Sequence, residues 1–382
     1  MAGDVGTTQS REKRRPAWLD GSLGLVAVGS LAVVVAAGLV QVSFGAFTMP
    51  VSQAWLAVVD PQVWTNPQFL LRLFLGDGLG TTVAGALGLS TAEVDLAKET
   101  LVVWRIRMPR VLVAVLVGVN LAISGAIFQA VTRNELASPY ILGVSSGAGL
   151  AVLLTLVVFS GFATLLPLTA ALGGALAFVL VYAIAWQNGT SPVRLVLAGV
   201  IVSMVFQSLQ TALYLLASDL AVVQSAIAWT TGSLTGVDWE QVRLVLPGTV
   251  VSFVLALAGA RQLNVLLLGE DTAQSLGMSV ERVRFALSAV AILAASSAIA
   301  VAGIVGFVGL IVPHVARILV GSDYKRLMLA CAFAGPALMV AADVGARLAL
   351  NPTQLPVGIV TGLIGGPYFL YLMRRRSNLG DL

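Results

Sequence analysis

Apolar residues along this chain fall in long blocks separated by short polar clusters, and within the blocks they do not form the one-sided stripe of a surface helix. A bilayer's hydrocarbon core is about 30 Å thick and takes about 20 apolar residues per helical crossing. On that ruler the blocks predict ten spans, near residues 24–44, 108–131, 141–159, 164–186, 194–216, 243–262, 284–302, 304–321, 327–346 and 355–373. Alternation at the length of a barrel strand is absent, so the fold class predicted is an all-α polytopic membrane protein of about ten transmembrane helices.

The polar intervals are unequal. The longest, about 45–104, contains DPQVWTNPQ and FLGDGLG, and Pro61, Pro67 and the glycines from Gly76 predict an external loop without a continuous helix. Within it, Thr82 to Leu89 is apolar enough to lie against the membrane surface or the bundle. A second external interval, WTTGSLTGVDWEQ from Trp229 to Gln241, predicts a short interfacial helix with turns. The intervals TRNELASP, QNGTSP and GSDYKR are short. The exception on their side is LGEDTAQSLGMSVERVR, Leu268 to Arg284, where apolar residues recur at Leu268, Ala273, Leu276 and Val280 and Gly277 interrupts them. That spacing predicts two short helices with a glycine turn lying at the membrane face; a solvated loop is the plainer reading of the same residues.

Composition fits a membrane chain: 58% of 382 residues are hydrophobic and 10% charged. With both ends inside, 15 of the 22 basic residues fall on the cytoplasmic side, among them Arg11, Lys13, Arg14, Arg15 and Arg374 to Arg376. The chain then divides into a cytoplasmic tail (1–22), a ten-helix domain (23–373) holding the external loop 45–104 and the segment 268–284, and a second tail (374–382). The first apolar run is longer than a signal-peptide core and lacks a cleavage site, so it predicts a retained helix. The net charge of +4 follows from the inside bias and implies no nucleic-acid partner.

Chemistry is sparse. None of the three lysines stands in a phosphate-binding G-x-x-x-x-G-K-[ST] loop, and His314 and Cys331 are alone of their kind, so no catalytic residues, metal or cofactor site are predicted. The acidic residues Glu135, Asp219, Asp323 and Asp343 fall at predicted helix ends, whereas an ion-driven carrier marks its path with ionisable groups at mid-depth. The pattern implies a channel-forming subunit energised by another protein. A self-powered, ion-gradient-driven secondary transporter and a polytopic membrane enzyme are the competing classes.

Several stretches carry information. RIRMPR places Arg105, Arg107 and Arg110 outside, against the charge bias, where they pair either with headgroup phosphates or with carboxylates of an acidic partner; Arg347 adds to that patch. In Val117 to Gly149 a small-residue face built from Gly118, Ala122, Gly125 and Ala126 predicts close helix packing, while Asn120 and Gln129 line either an interface or a route. GIVGFVGLIVPHVAR holds three glycines at three-residue spacing, then Pro313 and His314, the latter read as a polar group satisfied by backbone.

RMPRVLVAVLVGVNLAISGAIFQAVTRNELASPYILGVSSGAG, LGEDTAQSLGMSVERVR, GIVGFVGLIVPHVARILVGSD and ADVGARLALNPTQLPVGIVTGLIGGPYFLYL together resemble the iron–siderophore, haem and cobalamin permeases of ABC importers, in order from about Arg105 to Met373. The resemblance implies a ten-helix subunit of a bacterial or archaeal cytoplasmic membrane. Its partners would be a second permease, identical or paralogous, two ATP-binding subunits, an extracytoplasmic substrate-binding protein and membrane lipid. It implies coupling contacts to the ATPase at Glu270, Thr272, Ala273, Leu276 and Gly277, docking of the binding protein on Arg107, Arg110 and Arg347, and a cytoplasmic gate at Asn134, Leu136, Thr190 and Ser191. The cargo it implies is a metal chelate, foremost a ferric siderophore, with haem or cobalamin as alternatives. The chain departs from the family where Glu135 replaces a proline, Ser138 an acid and Asn120 a small apolar residue.

Overall fold

A computed structural model describes residues 21–44, 49–89, 96–187, 189–217, 219–350 and 353–377. The basic cluster Arg11 to Arg15 and the end of the C-terminal tail, 378–382, lie outside these. The elements run α1 (Gly21–Ser43), α2 (Val51–Val58), α3 (Pro61–Trp64), α4 (Pro67–Ala86), α5 (Lys98–Val102), a π-helical stretch (Val103–Arg107) that joins α5 to α6 (Met108–Val131), α7 (Val144–Leu153), α8 (Leu166–Ala185), α9 (Pro192–Leu216) and α10 (Leu220–Thr231). They continue through α11 (Trp239–Ala258), α12 (Ala260–Leu267), α13 (Glu270–Ser275), α14 (Val280–Ala302), α15 (Val308–Val320), α16 (Tyr324–Leu348) and α17 (Val357–Ser377).

Among the described residues, seven helical runs are long and apolar enough to cross a membrane: Gly21–Ser43, Lys98–Val131, Ser160–Ala185, Pro192–Leu216, Trp239–Ala258, Val280–Ala302 and Tyr324–Leu348. Shorter apolar helices, Val144–Val158, Val308–Val320 and Val357–Tyr371, occupy the other three predicted spans. Three expectations need correction. The segment 45–104 is largely helical where described, because Pro61 and Pro67 stand in the first turns of α3 and α4, where a missing N–H costs nothing; the Asp60 and Asn66 side chains cap those turns. The proline reading does hold as a break between helices, and Gly76, at φ 82°, breaks α4 again. Trp229 to Gln241 is not one interfacial helix: α10 ends at Thr231, Gly232 turns the chain at φ 71°, and α11 starts at Trp239 behind a capping box of Asp238 and Gln241. The predicted span 304–321 starts late, since Gly303 and Phe307, both at φ 67°, hold 303–307 out of helix.

At the centre stands α6, against which α11, α14, α15 and α16 pack. Its small-residue face makes this possible: a Cβ on Gly125 would collide with the Gly309 carbonyl of α15, and one on Gly118 with the Gly335 carbonyl and Pro336 nitrogen of α16. Asn120, fully buried on the same helix, donates to Thr249 Oγ1 at 2.7 Å and accepts from Ser252 Oγ at 3.2 Å, both on α11, so it belongs to an interface.

Because the colliding groups at Gly125 are backbone and cannot rotate away, Gly125→Ala is expected to lower stability by about 1–3 kcal/mol. Gly78, which has open space around it, is the control. Thermal unfolding of the two variants in detergent checks this; equal melting temperatures would refute the crossing as described.

Candidate functional site

The chain's chemistry-bearing groups gather at the two ends of the bundle. At the end that the charge bias assigns to the cytoplasm, α11 stops at Ala258 and the chain turns through α12 into α13. Instead of two short helices about a glycine there is one, Glu270–Ser275, followed by a glycine turn and then the long α14. Gly277, at φ 79°, supplies the left-handed residue that closes α13, and the Met278 N–H returns to the Ala273 carbonyl at 3.0 Å. The positions expected to meet an ATPase divide by exposure. Ala273 is fully buried and anchors α13 to the bundle; Thr272, Leu276 and Gly277 are exposed, and Glu270 is half-buried. Leu268 and Leu276 stand 59% and 65% exposed beyond the membrane-length helices, an apolar rim in a segment otherwise rich in charge.

Beneath that rim lies a charge network that the sequence did not reveal. Arg284, on the second turn of α14 and 1% exposed, donates from Nη2 to Glu270 Oε1 at 2.5 Å and from Nη1 to Glu281 Oε1 at 2.8 Å. The same Nη1 donates to the Thr190 carbonyl at 2.5 Å, in the turn between α8 and α9. Glu281 in turn accepts from the Thr190 N–H at 2.7 Å, from its hydroxyl at 2.9 and 3.0 Å, and from Tyr182 Oη at 3.1 Å. Thr190 thereby has its N–H, carbonyl and hydroxyl all held by one Glu–Arg pair spaced i,i+3 on a helix face. That spacing, at the point where charge enters a span, was the available signal. Ser191 beside it caps α9, accepting the Arg194 N–H at 3.2 Å.

The other half of the expected gate sits apart from this network. Arg133 adopts φ 49°, Asn134 Oδ1 accepts the Leu136 N–H at 2.9 Å, and Leu136 projects into the open. Glu135 faces Arg317 at 3.6 Å and His314 Nδ1 at 3.7 Å on α15, and Arg317 also donates to Gln129 Oε1 at 3.0 Å. The acid that departs from the family pattern thus pairs with a neighbouring arginine.

At the opposite end, the arginines expected to face a partner turn inward. Arg107 and Arg110 are 2% and 7% exposed. Arg110 forms a two-pronged pair with Asp343 of α16 at 2.8 and 2.9 Å and donates to Gln354 at 2.7 Å. Gln41 of α1 also donates to Asp343, and Arg107 donates to the Val42 carbonyl. Arg347 is half-buried and donates to the Gln41 carbonyl at 3.1 Å, while Arg105 is the exposed arginine of RIRMPR. A cavity of about 770 Å³ opens beside it between α4 and the start of α11, lined by Arg72, Arg105, Asp238, Trp239 and Arg243 among others. Asp343 therefore lies more than a turn inside α16, as a buried ion partner; its expected place at the helix end is corrected accordingly. Among the described residues, no group of three or more His, Cys, Asp or Glu side chains is placed to hold a metal ion.

An apolar bundle with no nucleotide loop, a leucine-rimmed segment at one end and buried arginines at the other matches a known pattern over almost its whole length: the profile of the FecCD transport family fits residues 31–375. The chain belongs to the FecCD transport family. The iron(3+)-hydroxamate import system permease protein FhuG of Bacillus subtilis is 39% identical over 289 residues, covering 74% of this chain and 86% of that protein. The ferric enterobactin transport system permease protein FepG of Escherichia coli is 38% identical over 301 residues, 77% and 91% of the two chains. The cobalamin import system permease protein BtuC of Halobacterium salinarum is 40% identical over 297 residues, 78% and 79%. A solved structure of a metal-chelate type ABC transporter in an inward-facing conformation superposes with a TM-score of 0.74 at 25% identity, covering 92% of this chain and 99% of that one.

In this FecCD-family chain the Arg110–Asp343 pair closes three helices together, so Asp343→Ala, which strands a buried guanidinium, is expected to cost about 3–5 kcal/mol. Arg347→Ala removes a half-buried group that donates to the Gln41 carbonyl and should cost far less. Melting temperatures of the two variants in one detergent test the ranking, and the reverse order would contradict the pairing.

Proposed function

We propose that this chain is the membrane-spanning permease subunit of an ABC importer that passes a metal chelate, foremost a ferric siderophore, across the cytoplasmic membrane. The observation that carries the reading is the exposed rim of Leu268, Thr272, Leu276 and Gly277, on a chain of the FecCD family that has no phosphate-binding loop of its own. Apolar side chains held out beyond the membrane-length helices fit a protein partner, and two ATP-binding subunits are the partners that would supply the energy. Thr190 and Ser191 on one turn, and Asn134 and Leu136 on the other, form the inner gate in this reading.

A second permease copy, identical or paralogous, would complete the path. Support comes from the lipid-length helix α9, which keeps much of its surface uncovered, and from a cavity of about 560 Å³ between α10, α15 and α17, lined by Tyr140, Ile141, Phe307 and Gly358 among others. At the outer end, a substrate-binding protein would dock on the arginine face. Of the four arginines in that patch, Arg105 is exposed and Arg347 half-buried, whereas Arg110 through Asp343 and Arg107 through the Val42 carbonyl would hold the shape of the face. Cargo of this class fits the names of the relatives, which are permeases for hydroxamate, enterobactin and cobalamin systems. ATP binding and hydrolysis would shift the permease pair between two states, and only contacts that differ between those states do that work.

Affinity purification of the tagged chain from its native membrane, with mass spectrometry of what stays bound, tests the assembly. Recovery of an ATP-binding subunit is expected; a chain that comes out alone even after mild cross-linking would overturn the reading. Gly277 has open space around it but a left-handed backbone, so Gly277→Val strains the turn without a packing clash. This variant is expected to hydrolyse ATP in the reconstituted importer while cargo uptake falls, and unchanged uptake per ATP would count against the coupling role of the turn.

A further inference from the structure

The network beneath α13 joins two places that the proposed function treats separately, the surface that meets the ATPase and the turn that gates the path. We infer that Arg284 is a positioning residue that locks α13 and the Thr190 turn into one mechanical unit, so that displacement of α13 is delivered to the gate through side-chain hydrogen bonds and not through the length of α14. The inference rests on the permease reading for its meaning in transport, but the link itself is a property of this chain.

Three observations carry it. First, one guanidinium reaches three elements: Glu270 on α13, Glu281 on its own helix and the Thr190 carbonyl in the α8–α9 turn. A planar fork with fixed donor directions holds its partners in a set relative geometry, which a flexible ammonium does not. Second, the link is buried unevenly. The Arg284 side chain is 1% exposed, while those of Glu281 and Glu270 are 31% and 36% exposed, so the cation is shielded from water and the limb toward α13 opens to it. A buried cation with its acceptors in place is costly to unpair, whereas the Glu270 limb can be reached from outside by a partner. Third, Thr190 has no slack. Its N–H and hydroxyl are taken by Glu281 and its carbonyl by Arg284, and Glu281 is itself braced by the Tyr182 hydroxyl from α8. The turn therefore follows the first turns of α14 rigidly, and Glu270 ties α13 to the same point.

Glu270 thus has a use beyond touching a partner. It is the handle by which force on α13 reaches Arg284, and Arg284, which is too deep to touch an ATPase, passes it to the gate turn. The two roles make different predictions. If Glu270 served only as a surface contact, Glu270→Gln and Arg284→Gln would impair transport independently and their effects would add. If it acts through Arg284, the double variant is no worse than Arg284→Gln alone.

The test uses the full chain with its co-purified subunits, reading moles of cargo taken up per mole of ATP hydrolysed. Arg284→Gln is expected to lower that ratio about tenfold, a coupling loss of the usual size for linked sites. Glu270→Gln should lower it less, the double variant should match Arg284→Gln, and Arg284→Lys should recover part of it because an ammonium reaches some of the acceptors. Additive single effects, or an unchanged ratio in Arg284→Gln, overturn the inference. A second measurement does not depend on transport. Spin labels at Thr272→Cys and Ser191→Cys, with the buried Cys331 replaced by Ser, report the separation of α13 from the gate turn in the chain alone. That distance should be narrow in the native background and broaden in Glu270→Gln, an isosteric change at a residue that water already reaches. An equally narrow distribution in both overturns the link. Native importer that moves no cargo with ATP would sink the permease reading while leaving the spin-label result to judge the link.

Discussion

Backbone touching backbone at two helix crossings is the constraint on which this bundle depends. Where α6 meets α15 at Gly125 and Gly309, and α16 at Gly118 and Gly335, no side chain separates the rods. Hydrocarbon offers little hydrophobic drive between helices, so dispersion contacts and weak C–H···O interactions at this range do much of the holding. Contact at that distance fixes the rotation of each helix about its axis. The rotation in turn sends Asn120 toward α11, Arg110 toward Asp343 and Gln129 toward Arg317. Polar groups that would be intolerable facing lipid find partners because the glycines bring those partners within reach.

Charge then follows a simple division. The centre of the bundle carries hydroxyl and amide groups, while ion pairs sit toward the two ends, Arg110 with Asp343 at one and Arg284 with its two glutamates at the other. Burying an ion pair is not a route to high stability, since desolvation offsets most of the attraction. What such a pair does well is to specify geometry, because any other arrangement leaves a bare charge in a dry place. Each end of the bundle is thus stiff at a chosen point, and between them neutral groups such as Asn120, Thr249 and Ser252 pair with one another.

Much of this was legible in the residues. The membrane-length helices were visible because hydrocarbon thickness imposes a length, and the crossings because Gly118 and Gly125 stand about two turns apart on a small-residue face. The glycine turn at Gly277 could be read from its place in a charged stretch, although its second helix proved to be the start of α14. What stayed hidden has three separate causes. The α10 helix has 12 residues, too short to register as a crossing, and follows α9 after a break of three residues. Pro61 and Pro67 were read as breakers, yet a proline in a first turn also begins a helix. Arg110 and Asp343 lie 233 positions apart and Arg284 and Thr190 94 apart, so neither pairing leaves a local signature. The same distance explains why Arg107 and Arg110 looked like surface cations: their position was readable, the direction of their side chains was not.

Leu268 and Leu276 carry a further consequence for the segment that holds them. They stand well exposed, beyond the membrane-length helices. Two leucines flanking a six-residue helix leave apolar surface uncovered, and taking such surface out of water is favourable by roughly 25 cal/mol per Å². A surface that covered both leucines would also hold α13 in place, so occupancy of that end and order of the short helix would rise together.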